Sequence, residues 1–206
     1  MHKETTQPLI RLLDDDQQVR ESLQWLLETV DLEVMAFGHP NDFLACPASD
    51  RPGCLLSDVR MPGLSGLEMQ QQLKQQQPLL PVILMSGHAD VSMAVQAMKE
   101  GALDFFEKPF NDQLLLDSIQ RGVNLHRQRL TEQQHISHLR LQLNRLTARE
   151  LQVMKRLAAG MPGKVIADEL GISPKTVDVH RHNLMLKMQL NSLAELIRAA
   201  LLLDLS

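Results

Sequence analysis

Residues 9–16 read LIRLLDDD, a mostly apolar run that ends in three consecutive aspartates. Three more apolar runs are each followed by a polar or charged side chain. They are CLLS at 54–57 before Asp58, PVILM at 81–85 before Ser86, and ALDFF at 102–106, two residues before Lys108. Apolar strands without strict alternation are typical of a parallel sheet that is covered on both faces. These runs therefore predict the core of an α/β domain.

Helical patterns separate the predicted strands. Apolar residues recur at helical spacing over 19–30, 67–73 and 91–98, and residues 32–37 alternate like a further strand. Strand and helix alternate along about the first 120 residues, which is the pattern of a doubly wound fold. We predict a five-stranded parallel sheet with the strand order 2-1-3-4-5. No strand pattern follows residue 111, so the remainder is predicted to be all-α.

Composition excludes several classes of protein. Hydrophobic residues make up 44% and charged residues 22% of the 206, which is an ordinary globular composition. No apolar run reaches the roughly 18 residues that a membrane span needs. Tyrosine is absent, which argues against stacking on single-stranded bases. The two cysteines, Cys46 and Cys54, lack metal-ligand spacing, and we expect a reducing, cytoplasmic location.

Charge divides the chain in two. Residues 1–125 hold 9 Lys and Arg against 18 Asp and Glu, whereas residues 126–206 hold 12 against 7. An acidic part followed by a basic part indicates two domains, with nucleic acid as a candidate partner of the second. An uneven distribution of solvated surface charge would give the same counts.

The polar residues after the strands define a candidate site. In an open parallel sheet, ligands bind beyond the carboxyl ends of the strands, where Asp14, Asp15, Asp58, Ser86 and Lys108 are expected to meet. Converging carboxylates repel unless a cation neutralises them, and Mg²⁺ suits carboxylates together with phosphate oxygens. A carboxylate, a metal, an ammonium and a hydroxyl together indicate phosphoryl transfer onto an aspartate. Taken singly, each residue could also be a helix cap or an ordinary surface charge.

The segment from 112 to 146 contains no proline and a single glycine. Within it, Ile136, Leu139, Leu143 and Leu146 follow one another at steps of three, four and three, as along a short coiled-coil seam. So short a seam favours a solvated connecting helix that rests one face on a domain, and a dimerising linker helix is the alternative.

The basic part carries helix start signals. Thr147 and Glu150 form a predicted capping box, and Ser173-Pro174 opens a helix to about residue 188 after a short helix at 164–170 and the turn residue Gly171. With a fourth helix from Ser192, this order predicts a helix-turn-helix. The predicted phosphate contacts are Lys175, Thr176, Arg181 and Lys187, and the predicted base contacts are Asp178, Val179 and His182. The alternative is a four-helix domain whose basic face is only solvated.

Four motifs in the acidic part, LDDD at 13–16, DVRMPG at 58–63, SGHAD at 86–90 and FEKPF at 106–110, resemble the receiver domain of two-component response regulators. The resemblance implies a fold like that of CheY, with Asp58 as the phospho-acceptor. It further implies that Asp14, Asp15, Asp58 and the backbone carbonyl of Arg60 hold Mg²⁺. Ser86 and Lys108 would contact the phosphoryl group. Ser86 and Phe105 would form the switch, in which Phe105 reorients on activation.

The basic part has its own resemblance. LTARE at 146–150, the stretch from Ile166 to His180 and Lys187-Met188 resemble the LuxR-type helix-turn-helix. With Gly87-His88-x-Asp90-Val91 and Met93-Ala94-Val95 after the fourth strand, the whole chain is similar to the FixJ subgroup, which includes regulators of styrene and toluene breakdown. Gly163 departs from the pattern, because the family often has Asn there to cap the next helix. The predicted domains are a receiver at 8–125, a helical linker at 126–142 and a helix-turn-helix domain at 143–206.

These resemblances imply a DNA-binding transcriptional regulator that is not an enzyme beyond its own phosphorylation and dephosphorylation. A sensor histidine kinase would phosphorylate it, and it would bind promoter DNA as a homodimer, with RNA polymerase as a further partner and no membrane. One rival is a Mg²⁺-dependent phosphohydrolase of the haloacid-dehalogenase type, but that class has Asp-x-Asp after strand one. A receiver that acts through protein contacts alone would leave the basic part unexplained.

Overall fold

The computed structural model describes residues 7–88 and 91–205, so Ala89 and Asp90 of the SGHAD motif lie outside the described residues. The strands are β1 (Leu9–Leu13), β2 (Glu33–Phe37), β3 (Gly53–Asp58), β4 (Val82–Ser86) and β5 (Asp104–Glu107). The helices of the described residues are α1 (Gln17–Glu28), α2 (Pro40–Ala45), α3 (Gly66–Gln76), α4 (Val91–Lys99), α5 (Asp112–Leu143), α6 (Ala148–Ala158), α7 (Gly163–Leu170), α8 (Pro174–Lys187) and α9 (Leu193–Leu202). The chain divides into two compact units, residues 1–131 and 132–206.

The first unit is built on a parallel sheet. Its strands lie in the order β2-β1-β3-β4-β5 and every neighbouring pair is parallel, which confirms the predicted doubly wound topology. The central strands β1, β3 and β4 are buried along their whole length, as their unbroken apolar runs require. The outer strand β2 keeps an alternating sequence because one of its faces meets water.

Two hydrophobic cores cover the two faces of this sheet. One joins Leu13, Leu55 and Leu84 of the strands to residues of α2, α3 and α4. The other joins the alternate strand residues, among them Ile10 and Leu56, to α1 and α5. The period-2 geometry of strands sends successive side chains to opposite cores.

Helix α2 is the element that the sequence pattern did not predict. It has six residues, too few to show a helical repeat of apolar positions, and its only clear signal is Pro40 at the first helical position. Phe43 fixes it to the core, where the Phe43 ring meets Phe37 edge-on at 5.4 Å.

The second unit is helical and has its own core, which combines residues of α6, α7, α8 and α9 with Leu139 of α5. The predicted capping box is present, since Thr147 Oγ1 accepts from the Glu150 amide and Glu150 accepts from the Thr147 amide. Ser173 caps α8, and Gly171 adopts a left-handed conformation at the end of α7. Helix α7 begins without a side-chain cap, as the glycine at 163 predicted.

Helix α5 ends at Leu143 and covers the whole predicted linker at 126–142. Of the predicted seam residues, Leu139 is buried in the core of the second unit, and Leu143 and Leu146 pack against that core. These contacts favour a helix that rests on its own domain. The exact domain boundaries remain a prediction.

Candidate functional site

The sheet places Asp14, Asp58, Ser86 and Lys108 together at one edge. Strand β1 ends opposite Ser57, one residue before Asp58, and Asp58 itself lies opposite Met85, one residue before Ser86. The Lys108 amide donates to the Ser86 carbonyl at 2.8 Å, which brings the chain after β5 to the same edge. The predicted convergence at the carboxyl ends of the strands is therefore present in the structure.

The Lys108 ammonium joins the two buried carboxylates. Its Nζ donates to Asp14 Oδ2 and to Asp58 Oδ1, each at 2.6 Å. Burial acts to lower the pKa of Lys108, but its bonds to the two carboxylates outweigh burial and raise that pKa. Lys108 is therefore a fixed positive charge at this site.

Asp14 is the more deeply buried of the two carboxylates, with 1% of its surface exposed against 6% for Asp58. Burial raises the pKa of Asp14 even though Lys108 donates to it. One ammonium thus does not fully compensate the burial of this carboxylate. Two carboxylates around a single monovalent cation are a donor set that suits an additional hard divalent cation.

The remaining oxygens of these carboxylates accept backbone hydrogen bonds. Asp58 Oδ2 accepts from the Arg60 amide at 2.7 Å, and Asp14 Oδ1 accepts from the Asp16 amide at 3.0 Å. Ser86 is fully buried and its Oγ accepts from the His88 amide at 3.3 Å. Because that bond uses a lone pair of Oγ, the hydroxyl hydrogen is left to donate elsewhere.

The other predicted residues of this site lie around its rim. Asp15 and the Arg60 residue are exposed, and Phe105 is half-buried against the core under α2, α3 and α4. Among residues 7–88 and 91–205, no three His, Cys, Asp or Glu side chains are grouped so that they could hold a metal ion. Asp14 and Asp58 are thus brought together, whereas Asp15 is not part of a preassembled group of three carboxylates.

Two supporting residues were not anticipated from the sequence. Arg20 of α1 donates from Nη1 to the Asp14 carbonyl at 2.7 Å and so supports the end of β1. Gly66 begins α3 against the backbone of β3, where an added Cβ would lie 2.6 Å from the Asp58 carbonyl oxygen. Only glycine fits this approach. The sequence feature that could have indicated the role of Gly66 is SGLE at 65–68, in which a glycine directly follows a serine that caps a helix.

The predicted DNA-contacting residues lie on α8. Lys175, Asp178, Val179, Arg181 and His182 are exposed, whereas Val177 and Leu184 face the core. Thr176 is half-buried, and its Oγ1 lies 2.8 Å from the Oγ of the cap residue Ser173. The first half of α8 therefore exposes a polar face, as a helix that enters the major groove of DNA requires.

Lys187 has an internal partner. Its Nζ donates to Glu150 Oε2 at 2.7 Å, and the Glu150 side chain is almost wholly buried. Burial acts to raise the pKa of Glu150, but the bonds from Lys187 and Thr147 outweigh it and lower that pKa. The structure thus gives Lys187 a role in joining α6 to α8, and its predicted phosphate contact remains a prediction.

Comparisons with known proteins identify the families of both domains. Residues 10–120 match the model of the response regulator receiver domain, and residues 144–200 match that of the bacterial regulatory proteins of the luxR family. The chain is 42% identical to the transcriptional regulatory protein FixJ of Bradyrhizobium diazoefficiens, over 96% of each chain. It is also 42% identical to the response regulator protein TodT of Pseudomonas putida, over 96% of this chain and 87% of that protein.

The solved structure of the response regulator StyR superimposes with a TM-score of 0.81 at 41% identity, covering 94% of this chain and 98% of that one. No helix in the described part of the chain is both long enough and apolar enough to cross a membrane. The chain belongs to the two-component response regulators of the FixJ subgroup, DNA-binding transcriptional regulators that carry a receiver domain and a luxR-type helix-turn-helix domain.

Proposed function

We propose that Asp58 is the phospho-acceptor and that a sensor histidine kinase supplies the phosphoryl group. This proposal rests on one observation: the Lys108 ammonium donates to both Asp14 and Asp58 and so joins them in one charged site at the sheet edge. Of the two, Asp58 has the more accessible carboxylate, with 8% of its side chain exposed against 1% for Asp14. An attacking oxygen must be reachable, so Asp58 is the better nucleophile.

The transfer step follows from this geometry. A carboxylate oxygen of Asp58 forms a bond to phosphorus while the nitrogen–phosphorus bond of the kinase phosphohistidine breaks, and the product is an acyl phosphate. The Lys108 ammonium then donates to a phosphoryl oxygen instead of Asp58 Oδ1, and it retains its hydrogen bond to Asp14 Oδ2. The free hydroxyl hydrogen of Ser86 donates to another phosphoryl oxygen.

Mg²⁺ fits this donor set. We propose that Asp14, Asp15, Asp58 and the backbone carbonyl of Arg60 would hold it, with Asp15 as the exposed carboxylate of this set. When bound, Mg²⁺ supplies positive charge to phosphoryl oxygens. Burial raises the pKa of Asp14, so a second cation would stabilise its carboxylate.

The output of the switch is DNA binding. We propose that phosphorylation turns Phe105 inward, that the receiver then pairs with a second copy, and that the dimer binds promoter DNA through α8 of each copy. Lys175, Thr176, Arg181 and Lys187 would contact phosphates, and Asp178, Val179 and His182 would face base edges. RNA polymerase is a further proposed partner. The proposed location is the cytoplasm, where a regulator of promoters acts.

Acetyl phosphate with Mg²⁺ tests the acceptor. We expect one phosphoryl group on the intact protein, and we expect Asp58→Asn to abolish the mass increase while circular dichroism stays unchanged. Asp50→Asn is the matched control, since it changes one exposed carboxylate that lies before the start of β3, whereas Asp58 lies at the end of that strand. Peptide mapping that places the phosphoryl group on Asp14 or Asp15 would contradict the proposal.

A further inference from the structure

Arg20 holds the turn that carries the first two aspartates of the phosphorylation site. The Asp14 carbonyl lies one residue past Leu13, the last paired residue of β1, and Asp14 is buried. A buried carbonyl needs a donor from the protein. Arg20, in the first turn of α1, supplies it, because its Nη1 donates to the Asp14 carbonyl at 2.7 Å. The guanidinium therefore joins the end of β1 to the start of α1.

Other contacts fix the same turn. Asp14 Oδ1 accepts from the Asp16 amide at 3.0 Å, and the Asp16 side chain caps α1. Gly38, directly after β2, leaves space for the guanidinium, since an added Cβ there would lie 3.3 Å from Arg20 Cζ. The backbone on both sides of Asp15 is thus held in place, although the Asp15 side chain itself is exposed.

Arg20 bonds the backbone of this turn and leaves its carboxylates free. In the part of the chain that the structure describes, Arg20 forms no ion pair, although three aspartates precede it at 14–16. Lys108, by contrast, uses its charge on the carboxylates of Asp14 and Asp58. A second cation on those carboxylates would compete with a metal ion. A guanidinium on the carbonyl fixes the aspartates without competing for their oxygens.

We propose that Arg20 is a positioning residue of the metal site, which raises the affinity for a divalent cation by holding Asp14 and Asp15 in place. The inference rests on the Mg²⁺ site proposed above. Replacing residues that orient metal ligands typically costs ~10–100-fold in metal affinity. Arg20 holds a backbone carbonyl rather than a ligand side chain, so we expect a loss at the low end of this range, about tenfold.

The direction of the effect separates positioning from charge. Arg20 is a cation beside a cation site, so removal of its charge alone would strengthen the binding of a divalent cation. Loss of its bond to the Asp14 carbonyl would weaken that binding, because the turn would no longer be fixed. Weaker binding in Arg20→Met therefore identifies positioning as the dominant effect.

The test measures the affinity of the intact chain for Mn²⁺ by electron paramagnetic resonance of the free ion, with Mg²⁺ as competitor. Arg20→Met removes the guanidinium, and Arg20→Lys keeps a charge at shorter reach. Arg51→Met is the matched control, because Arg51 Nε donates to the Gln7 carbonyl at 3.1 Å, just before the opposite end of β1. We expect Arg20→Met to weaken Mn²⁺ binding about tenfold, Arg20→Lys to weaken it less, and Arg51→Met to bind as wild type does.

A urea titration of each variant without metal separates the fold from the site. An Arg20→Met chain that is less stable than wild type, but binds Mn²⁺ as tightly or more tightly, would overturn the inference, because Arg20 would then act on stability alone. If Arg20→Met does not fold, unchanged Mn²⁺ affinity in Arg20→Lys overturns it. Absence of Mn²⁺ binding by wild type would instead contradict the proposed Mg²⁺ site itself.

Discussion

His126 makes the stability of the first unit depend on pH in a defined window. It lies on α5 with 4% of its surface exposed, and its Nδ1 accepts a hydrogen bond from the Gly53 amide at 3.0 Å. An imidazole can accept this bond only when it is neutral. Burial is the main cause that lowers the pKa of His126 to about 4 from 6.5, and the positive charges of Arg11 and Arg129 lower it further.

The sign follows from proton binding in the two states. Between about pH 6.5 and pH 4 the unfolded chain binds a proton at His126 that the folded chain does not bind. The free energy of unfolding therefore falls as the pH falls through this window. With the ordinary pKa taken for the unfolded chain, the loss attributable to His126 is on the order of 1 kcal/mol at pH 5.5 and on the order of 3 kcal/mol at pH 4.5.

His126→Gln is the matched variant, because the amide oxygen of Gln accepts from Gly53 without titrating. We expect the unfolding free energy of wild type, from urea titrations followed by circular dichroism, to drop more steeply than that of the variant between pH 6.5 and pH 4.5. Carboxylates titrate in both chains and cancel in the difference. Parallel curves, or an imidazole NMR titration of His126 centred near 6.5, would refute the reasoning.

Three other predictions concern the two sites. Gly66→Ala should destabilise the chain by about 1–3 kcal/mol and slow labelling by acetyl phosphate, because the added Cβ would lie 2.6 Å from a backbone oxygen of Asp58; unchanged urea midpoint and labelling would contradict this. Lys175→Ala should reduce the salt dependence of DNA binding by about one counterion relative to wild type, whereas Lys187→Met should reduce it by less, because its ammonium also binds Glu150, and should destabilise the chain by about 1–2 kcal/mol, a value discounted for the partial exposure of Lys187; a wild-type salt slope for Lys187→Met would contradict its phosphate contact. Beryllofluoride should convert a monomer into a dimer in sedimentation velocity, and an unchanged profile would count against the proposed switch.

The sheet and its edge could be predicted because they depend on local patterns. Each central strand is an apolar run with a polar residue directly after it, and parallel strands place those residues at the same edge. The capping box at Thr147 and the cap at Ser173 are equally local, since each bond spans only three residues. Where a feature depends on neighbours in sequence, the residue types alone determine it.

Contacts between distant residues could not be predicted in the same way. The Gly53 amide and His126 are 73 residues apart, and Lys187 and Glu150 are 37 apart. Nothing near His126 in the sequence indicates a buried neutral imidazole, and Lys187 has the same residue type as a phosphate-binding lysine. Its partner became visible only when α6 and α8 packed together.

Lys187 and Lys108 show how the surroundings decide what a lysine does. Both ammonium groups bond to buried carboxylates, but Lys187 meets one and Lys108 meets two. With one partner the charges balance, and the bonds from Lys187 and Thr147 lower the pKa of Glu150 despite burial. With two carboxylates an excess negative charge remains, and burial raises the pKa of Asp14 in spite of its bond to Lys108. A balanced pair holds two helices together, whereas an unbalanced group of carboxylates at the sheet edge has the excess negative charge that favours binding of a further cation.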